Sequence, residues 1–539
     1  STRLFRIVAY GLLVCVAVLL GAKPIRSWDL WWHLLVGEEA LRSGSTLPAD
    51  PFSMIRQAGE PLVWIYKDLG AEVLLSVVHS IGGASALSLL RIVASVGLFV
   101  LLFSLARRRT DAAWLALFVA GIALLIASFR LIVRPELFSL VLFPLVVSLL
   151  EERRQVGRRW PLVVAVLVVW LWANLHRGVV LGLVLFWGYA FYELGSILLR
   201  RHRLAFVSTA VSRRDDVQTK QAESLLAVLA ATVIALLNPS GSALYVQAFD
   251  VTTSDAMARL VSEWQRLGPR ELLEAFPVAS LWMLVLMFLL LVSNWRQKGQ
   301  IWSARSRITL WDVAVTCGLF WIALRAPRML PMMAIATTPV MVSVLDSLVG
   351  RSRALQLEQR IRPLPLLSVV CVILVGWAAQ RIEEPNPGWA RDWYPSQGVD
   401  AITRLGVEGE GFTTYTYAGY LLYHLWPAKR VICDGRFDTV YSEALIETCM
   451  AASSNPDIFR EWVRRYELQW VLTHNRPGPV RDPSTPRSFD FLDVDPGWGL
   501  VHWDSSALLY VRRNGPNGHL LRDYAYQYLR PHDLDVSLR

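Results

Sequence analysis

Two groups of residues in this chain have the types and spacing for chemistry. Carboxylates form one: Asp29 in "SWDLWWHLL", Asp50 in "PADPFS", Asp68 in "YKDLGAE" and Glu263 in "VSEWQ" lie beside aromatic residues, between apolar runs. A carboxylate at a membrane surface can take the proton of an acceptor hydroxyl, which is the work of a general base. Cations form the other: Arg130 and Arg134 in "SFRLIVRPELF", His176 and Arg177 in "WANLHRG", Arg325 and Arg328 in "LRAPR". The planar guanidinium fork suits phosphate oxygens, and an Arg at a membrane boundary is costly unless it snorkels or meets an anion. A polyprenyl phosphate headgroup is such an anion, and its tail is already in the bilayer.

Each residue also has a plainer reading. Asp29 can cap a helix beginning at Leu30, and Asp50 before Pro51 fits a turn. Glu263 can be simply solvated. His33 follows Asp29 by four and can share its helical face, yet a lone His beside Trp32 more often packs than catalyses. Any single Arg can snorkel to lipid headgroups or pair with a nearby Asp or Glu. Three separate junctions carrying cations favour a shared anion over three independent accidents.

The elements that position these groups are membrane helices. The chain has 539 residues, 54% hydrophobic content and 23 Trp, and its mean hydropathy is +0.39. That is too apolar for a water-soluble protein of this length. Apolar runs able to cross roughly 30 Å of hydrocarbon fall near 5–22, 84–105, 112–128, 135–150, 160–175, 178–198, 223–237, 274–294, 308–324, 329–349 and 363–380. They predict a polytopic α-helical protein with about eleven transmembrane helices. The net charge of +10 is spread over the loops between runs rather than gathered in one patch, so it reads as topology and not as a nucleic-acid surface. Basic clusters on alternate loops put the N-terminus in the cytoplasm and residues 381–539 outside. The catalytic candidates then sit on outer segments, and the first run reads as an anchor rather than a cleaved signal.

Residues 1–380 read as the transmembrane domain, including a long first outer loop at 23–83, with an amphipathic helix over 30–42 lying along the membrane surface. Residues 381–400 form a Pro-rich linker, and 401–539 an extracytoplasmic α/β domain. In that domain "GFTTYTYAGYLLYHL" predicts a strand then a helix, "RVICDGR" a strand ending in a turn, "PDIFREWVRRYEL" a helix, "QWVLTH" a strand and "GLVHWDSSALLYVRR" a hairpin. Tyr415, Tyr417, Asp434, Arg436 and Asp438 can orient an acceptor there or hold polar parts of the fold together, the latter being the favoured reading. A disulfide between Cys433 and Cys449 is chemically allowed outside the cytoplasm. GxGxxG, GKS/T, HExxH and CxxC patterns are all lacking, which counts against nucleotide-dependent and zinc chemistry.

The ordered series "WDLWWHLLVGEEALRSGSTLPADPFS", "KDLGAEVLL", "RLIVRPELFS", "LWANLHRG", "LNPSG", "SEWQ", "LRAPR" and "VICDGRFDTVY" resembles the bacterial GT-C-type membrane glycosyltransferase-like proteins, which depend on polyprenyl-phosphate sugars. The resemblance spans nearly the whole chain. It implies a multi-span helical core, one or two interfacial helices with an acidic residue in the first outer loop, and transfer of a sugar to a lipid, glycan or protein acceptor. Asp29 matches the first-loop acid and is the implied base, with Asp68 and Glu263 as further acidic candidates. Arg134, Arg325 and Arg328 match basic positions for donor phosphate, alongside Arg130 and Arg177. Asn174 and His176 match the "NLH" motif and, with Trp32 and His33, would line the cavity. Ser27 stands where relatives can carry the first acid of a DxD-like pair, and Lys67-Asp68 where some have His-Glu. The expected transfer is therefore metal-independent, with no cofactor beyond the polyprenyl-linked sugar, in the bacterial inner membrane.

Two rival readings belong to other classes. An inactive GT-C-like subunit of a larger membrane complex would use the outer domain to dock protein partners. A lipid-sugar flippase would need polar residues deep in the spans, where the sequence shows few beyond Asp312 and Asp346, both near span ends.

Overall fold

The computed structural model describes residues 2–47, 49–57, 60–62, 64–201, 214–254, 259, 264–296, 308–380, 386–390, 393–475 and 488–526. Its contacts divide the chain into two units: Ser1–Pro24 with Ile81–Gly388, and Ile25–Ser80 with Trp389–Arg539. The segment Ile25–Ser80 thus groups with the C-terminal residues, whereas the sequence places 23–83 with the membrane helices. The chain passes from the second unit to the first within one long helix, Leu69–Arg107, whose helical geometry breaks at Gly82 and Gly83. Gly83 has φ 56°, a left-handed conformation that favours glycine.

In the first unit each of the predicted apolar runs is helical, from Thr2–Gly21 to Leu364–Gln380. Among the described residues, five helices are long and apolar enough to cross a membrane: Thr2–Gly21, Leu69–Arg107, Ala113–Arg130, Pro277–Trp295 and Pro327–Val349. A sixth is added if Arg351–Arg360 and Leu364–Ala378, bent by 95°, count as one span. Among the described residues the expected eleven crossings are not confirmed by length and composition, and what sets the other helices below that measure lies at their ends. Glu136–Val156 carries "EERR" in its last turns, Arg214–Ala235 opens on "RDD", and Trp160–Leu175 and Leu310–Arg325 have only 16 residues each. Ala113–Ala127 is buried along most of its length and packs against Leu330–Val349 and Leu364–Gln380, forming the middle of the unit.

Several buried charges of this unit are satisfied internally. Arg91, buried within an apolar helix, donates from Nε to the Gly21 carbonyl at 2.7 Å and from Nη2 to that of Lys23, closing the C-terminus of the first helix, whose last carbonyls have no intrahelical donor. At the ends that the positive-inside rule assigns to the cytoplasm, Arg109 bridges Glu151 at 2.6 Å and Asp312 at 3.0 Å. Arg154 also reaches Asp312, at 3.2 Å. Asp312 caps its own helix through a capping box with Thr309. Thr110 Oγ1 donates to Asp346 at 2.7 Å, both residues being buried. Of the polar residues that the sequence marks near span ends, Asp312 is thus part of a charged clamp and Asp346 accepts a buried hydrogen bond. Thr110→Val removes one donor from a buried carboxylate, so a loss of about 1–3 kcal/mol is expected, read as a lowered unfolding temperature in detergent.

In the second unit the helix Leu30–Ser43 is buried all round over its first eight residues, Leu30 to Gly37. It does not fit the expected surface-lying amphipathic helix, because its aromatic side chains face protein: Trp31 stacks on Trp389 at 4.4 Å and meets Tyr420 edge-on at 4.8 Å. The sheet has strands β1 Gly411–Thr413, β2 Trp470–His474, β3 Trp498–Trp503 and β4 Ala507–Arg512, in the order β1-β2-β4-β3. β1 runs parallel to β2, with Gly411 opposite Trp470, and the other pairs are antiparallel. The hairpin β3–β4 closes on Asp504, whose Oδ1 accepts from the backbone N–H groups of Ser506 at 2.6 Å and Ala507 at 2.9 Å. The helices Tyr415–Leu425 and Pro456–Arg465 fall where the periodicity puts them. "RVICDGR" forms no strand: its only ladder contact is an isolated bridge from Val431 to Ser53. No disulfide joins Cys433 and Cys449, both of which are buried thiols.

Candidate functional site

Three of the carboxylate candidates, Asp29, Asp50 and Asp68, lie in the second unit. Asp29 occupies the N-cap position of Leu30–Ser43, and its carbonyl accepts from the His33 N–H at 3.2 Å. Its side chain makes no capping bond, so capping fixes the backbone and leaves the carboxylate to another surface. That surface is the turn Asp434-Gly435-Arg436. A methyl group at Gly435 would fall 2.4 Å from Asp29 Oδ1 and 3.0 Å from Trp32 Nε1, so only glycine admits this approach. Trp32 is buried, and its indole N–H has no hydrogen-bond partner among the described residues.

Arg436 holds the turn. Wholly buried, it donates from Nε to Asp434 Oδ1 at 2.8 Å, from Nη2 to Asp434 Oδ2 at 2.6 Å and from Nη1 to Asp50 Oδ1 at 2.6 Å. Nη2 also reaches the Tyr441 hydroxyl at 3.1 Å, and the guanidinium lies 4.8 Å from the Trp64 ring centre. Burial pushes the guanidinium pKa down, but Asp434 and Asp50 reverse this and hold it well above the ordinary value. Asp50 also accepts from the N–H groups of Phe52 at 3.0 Å and Ser53 at 3.2 Å, which is the turn role its sequence context suggests. Asp434, Arg436 and Asp50 are therefore fold-holding groups that fix the floor beneath Asp29.

The other candidates of this unit have settled partners. His33 Nδ1 pairs with Glu72 Oε1 at 2.9 Å, and both are buried. Asp68 is buried at the start of Leu69–Arg107, where its carbonyl accepts from the Glu72 N–H at 3.0 Å. The Tyr417 hydroxyl donates to the Ser506 carbonyl at 2.6 Å, and Tyr415 packs on Phe437 at 5.2 Å. Glu263 and the side chain of Asp438 lie outside the described residues.

The cationic candidates lie in the first unit, and there the three junctions do come together. A cavity of about 550 Å³ is lined by His176, Arg177, Arg325 and Arg328, by Trp264 and Trp321, and by apolar side chains of Val179–Arg201 and Ala243–Thr253. Beside it a recess of about 60 Å³ is lined by Arg130, Glu136, Ser139, His176 and Arg328. Arg325 lies 4.5 Å over Trp321 and Arg328 4.5 Å over Trp264, so two guanidinium planes are oriented by aromatic faces. Glu136 pairs with Arg130 and lies 3.6 Å from Arg328. Its carboxylate separates two cations that would otherwise repel.

Two of the sequence candidates line neither of these cavities. The Asn174 amide donates to the carbonyls of Trp170 at 2.9 Å and Leu237 at 3.1 Å, tying two helix ends together, and it lines neither cavity. Arg134 lines neither cavity, and its carbonyl closes the turn into the next helix by accepting from the Leu137 N–H at 2.9 Å. The sequence reading missed Glu136, although it stands six residues after Arg130, and it missed Ser139 and Trp172, whose roles depend on folding.

No protein-family model matches the chain, and no curated protein matches its sequence. The fold is similar to that of the archaeal oligosaccharyltransferase AglB from Archaeoglobus fulgidus, solved in complex with an inhibitory peptide and a dolichol-phosphate. That likeness has a TM-score of 0.55 and 10% identity, over 86% of this chain and 69% of that one. The A. fulgidus oligosaccharyltransferase tethered with an acceptor peptide aligns over the same shares, with 13% identity and a TM-score of 0.49. The first of these likenesses gives the chain a GT-C-like membrane fold with a C-terminal domain. That neighbour is archaeal, and it does not carry the bacterial part of the sequence resemblance.

Proposed function

We propose that the protein is a membrane glycosyltransferase that moves a sugar from a polyprenyl-phosphate donor to a lipid, glycan or protein acceptor outside the cytoplasm, without a metal. The observation that carries this reading is the cavity walled by apolar helices and edged by Arg177, Arg325, Arg328 and His176. Apolar walls suit an isoprenoid chain, and oriented guanidinium groups suit the phosphate at its head. The archaeal neighbour of the same fold was solved with a dolichol-phosphate, a ligand of this chemistry. Metal independence rests on the resemblance: Ser27 stands where similar proteins can carry an acidic ligand before the position of Asp29.

In the proposed reaction the acceptor hydroxyl gives its proton to the Asp29 carboxylate, and its oxygen bonds to the anomeric carbon. The bond from that carbon to the phosphate oxygen breaks, and its electron pair stays on the phosphate. Cations already in place stabilise that charge without reorganisation, which lowers the barrier. The role of Asp29 as base and that of the cations as phosphate ligands are separate proposals, each tested by its own substitutions.

The test is label transfer by the full chain in nanodiscs, from a panel of polyprenyl-phosphate sugars with membrane extract as acceptor. Replacing both Arg325 and Arg328 by Gln is expected to lower kcat/KM by about 100-fold or more, while the fold is retained. Activity equal to wild type overturns the phosphate assignment. No transfer from any donor, together with copurification in fixed stoichiometry with other proteins, would favour an inactive assembly subunit.

A further inference from the structure

His176 lines both cavities of the first unit, and its ring is held by a small network that the reaction above leaves unexplained. The Trp172 indole N–H, which can only donate, reaches Ser139 Oγ at 2.7 Å. Ser139 Oγ lies 2.7 Å from His176 Nδ1. The backbone N–H of Gly178 donates to the same Nδ1 at 3.1 Å. A nitrogen that accepts from a backbone N–H carries no proton of its own, so Nδ1 presents its lone pair, and the Ser139 hydroxyl is left to donate to it. The imidazole proton is then on Nε2, because the hydrogen bonds at one ring nitrogen decide the state of the other.

Packing enforces the same arrangement. A methyl group at Gly178 would fall 2.6 Å from Ser139 Oγ and 2.7 Å from His176 Nδ1. At Gly182, one turn on, it would fall 2.5 Å from the Trp172 ring. Both glycines let the network close against the helix Val179–Arg201.

We propose that Trp172, Ser139 and the Gly178 amide fix His176 as the neutral imidazole protonated on Nε2, and that this N–H donates to a phosphate oxygen of the polyprenyl-phosphate donor beside Arg328. The inference rests on the lipid-phosphate reading of the cavity and gives it a hydrogen-bond donor that adds no further formal charge. His176 is the phosphate contact, and Ser139 is a positioning residue that acts only through it. A neutral donor among several guanidinium groups supplies direction, while the cations supply most of the attraction.

Two measurements on the full chain in nanodiscs test this. The first is nitrogen NMR of the chain labelled in its histidines, with the His176 signals identified by their loss in His176→Gln. An unprotonated Nδ1 and a protonated Nε2 are expected in the wild type, and the same tautomer with a shifted Nδ1 signal in Ser139→Ala, where the Gly178 amide still donates. A proton on Nδ1 in the wild type overturns the positioning network, whatever binds.

The second is binding of farnesyl phosphate, compared with inorganic phosphate and with farnesol. His176→Gln is expected to weaken farnesyl phosphate binding about tenfold, and Ser139→Ala several-fold less. Ser139→Thr, which keeps the hydroxyl, is expected to bind as the wild type does. Wild-type affinity in His176→Gln removes His176 from the phosphate contact while the cavity reading stands. Binding of inorganic phosphate as tight as that of farnesyl phosphate, or no binding of farnesyl phosphate by the wild type, overturns the lipid-phosphate reading and the His176 contact with it.

Discussion

Asp29→Asn is expected to lower sugar transfer by about 100- to 10,000-fold with little change in stability. The substitution keeps the shape of the side chain and removes its ability to take a proton. The carboxylate contributes no capping hydrogen bond to the helix it precedes, so that helix loses no cap. The pair of measurements is kcat/KM in nanodiscs and the unfolding temperature of both proteins. Equal transfer by Asp29→Asn removes the residue from the role of base, and a large fall in unfolding temperature returns it to a structural one.

Arg436→Leu is expected to destabilise the second unit by about 3–5 kcal/mol. Both its carboxylate partners are wholly buried with it, and removing the cation leaves Asp434 and Asp50 uncompensated in a low-dielectric interior. Lysine would restore charge but not the fork that reaches both carboxylates and Tyr441, so Arg436→Lys is expected to recover only part of the loss. Denaturant unfolding of the full chain and protease resistance of the segment 401–475 measure it. Unfolding of Arg436→Leu at the wild-type midpoint would contradict the assignment of this residue as the fastener of the turn beneath Asp29.

Much of the architecture can be read from the residues, because apolar runs and alternation are local signals. Every apolar run is a helix, and the hairpin from Trp498 to Arg512 follows its alternating pattern. The number of crossings is less legible, since charges such as Glu151, Arg153 and Arg154 shorten an apolar stretch without ending its helix. The partnership of the first loop with the C-terminal domain is not legible at all. It depends on contacts such as Trp31 with Tyr420 and Asp50 with Arg436, between residues far apart in the chain.

Candidate residues divide along the same line. Cations at three separate junctions stand out against the topology rule, and Arg130, Arg177, Arg325, Arg328 and His176 do share neighbouring cavities. Which of them face inward is a matter of helix rotation: Asn174, two residues before His176, bonds helix-end carbonyls instead. Asp50 and Asp68 look alike in sequence as acids beside aromatic residues. Only the fold shows Asp50 committed to Arg436.

The central claim is that the cation-edged cavity takes the phosphate head of a polyprenyl donor. Its most direct test is photo-crosslinking of the full chain in nanodiscs with a photoreactive prenyl phosphate, followed by mapping of the labelled peptides. Label in the segments 176–184, 248–254 and 321–329, displaced by unlabelled farnesyl phosphate and lost in the Arg325→Gln, Arg328→Gln double variant, is the result the account predicts. Label confined to other helices, or undiminished in the double variant, would contradict it.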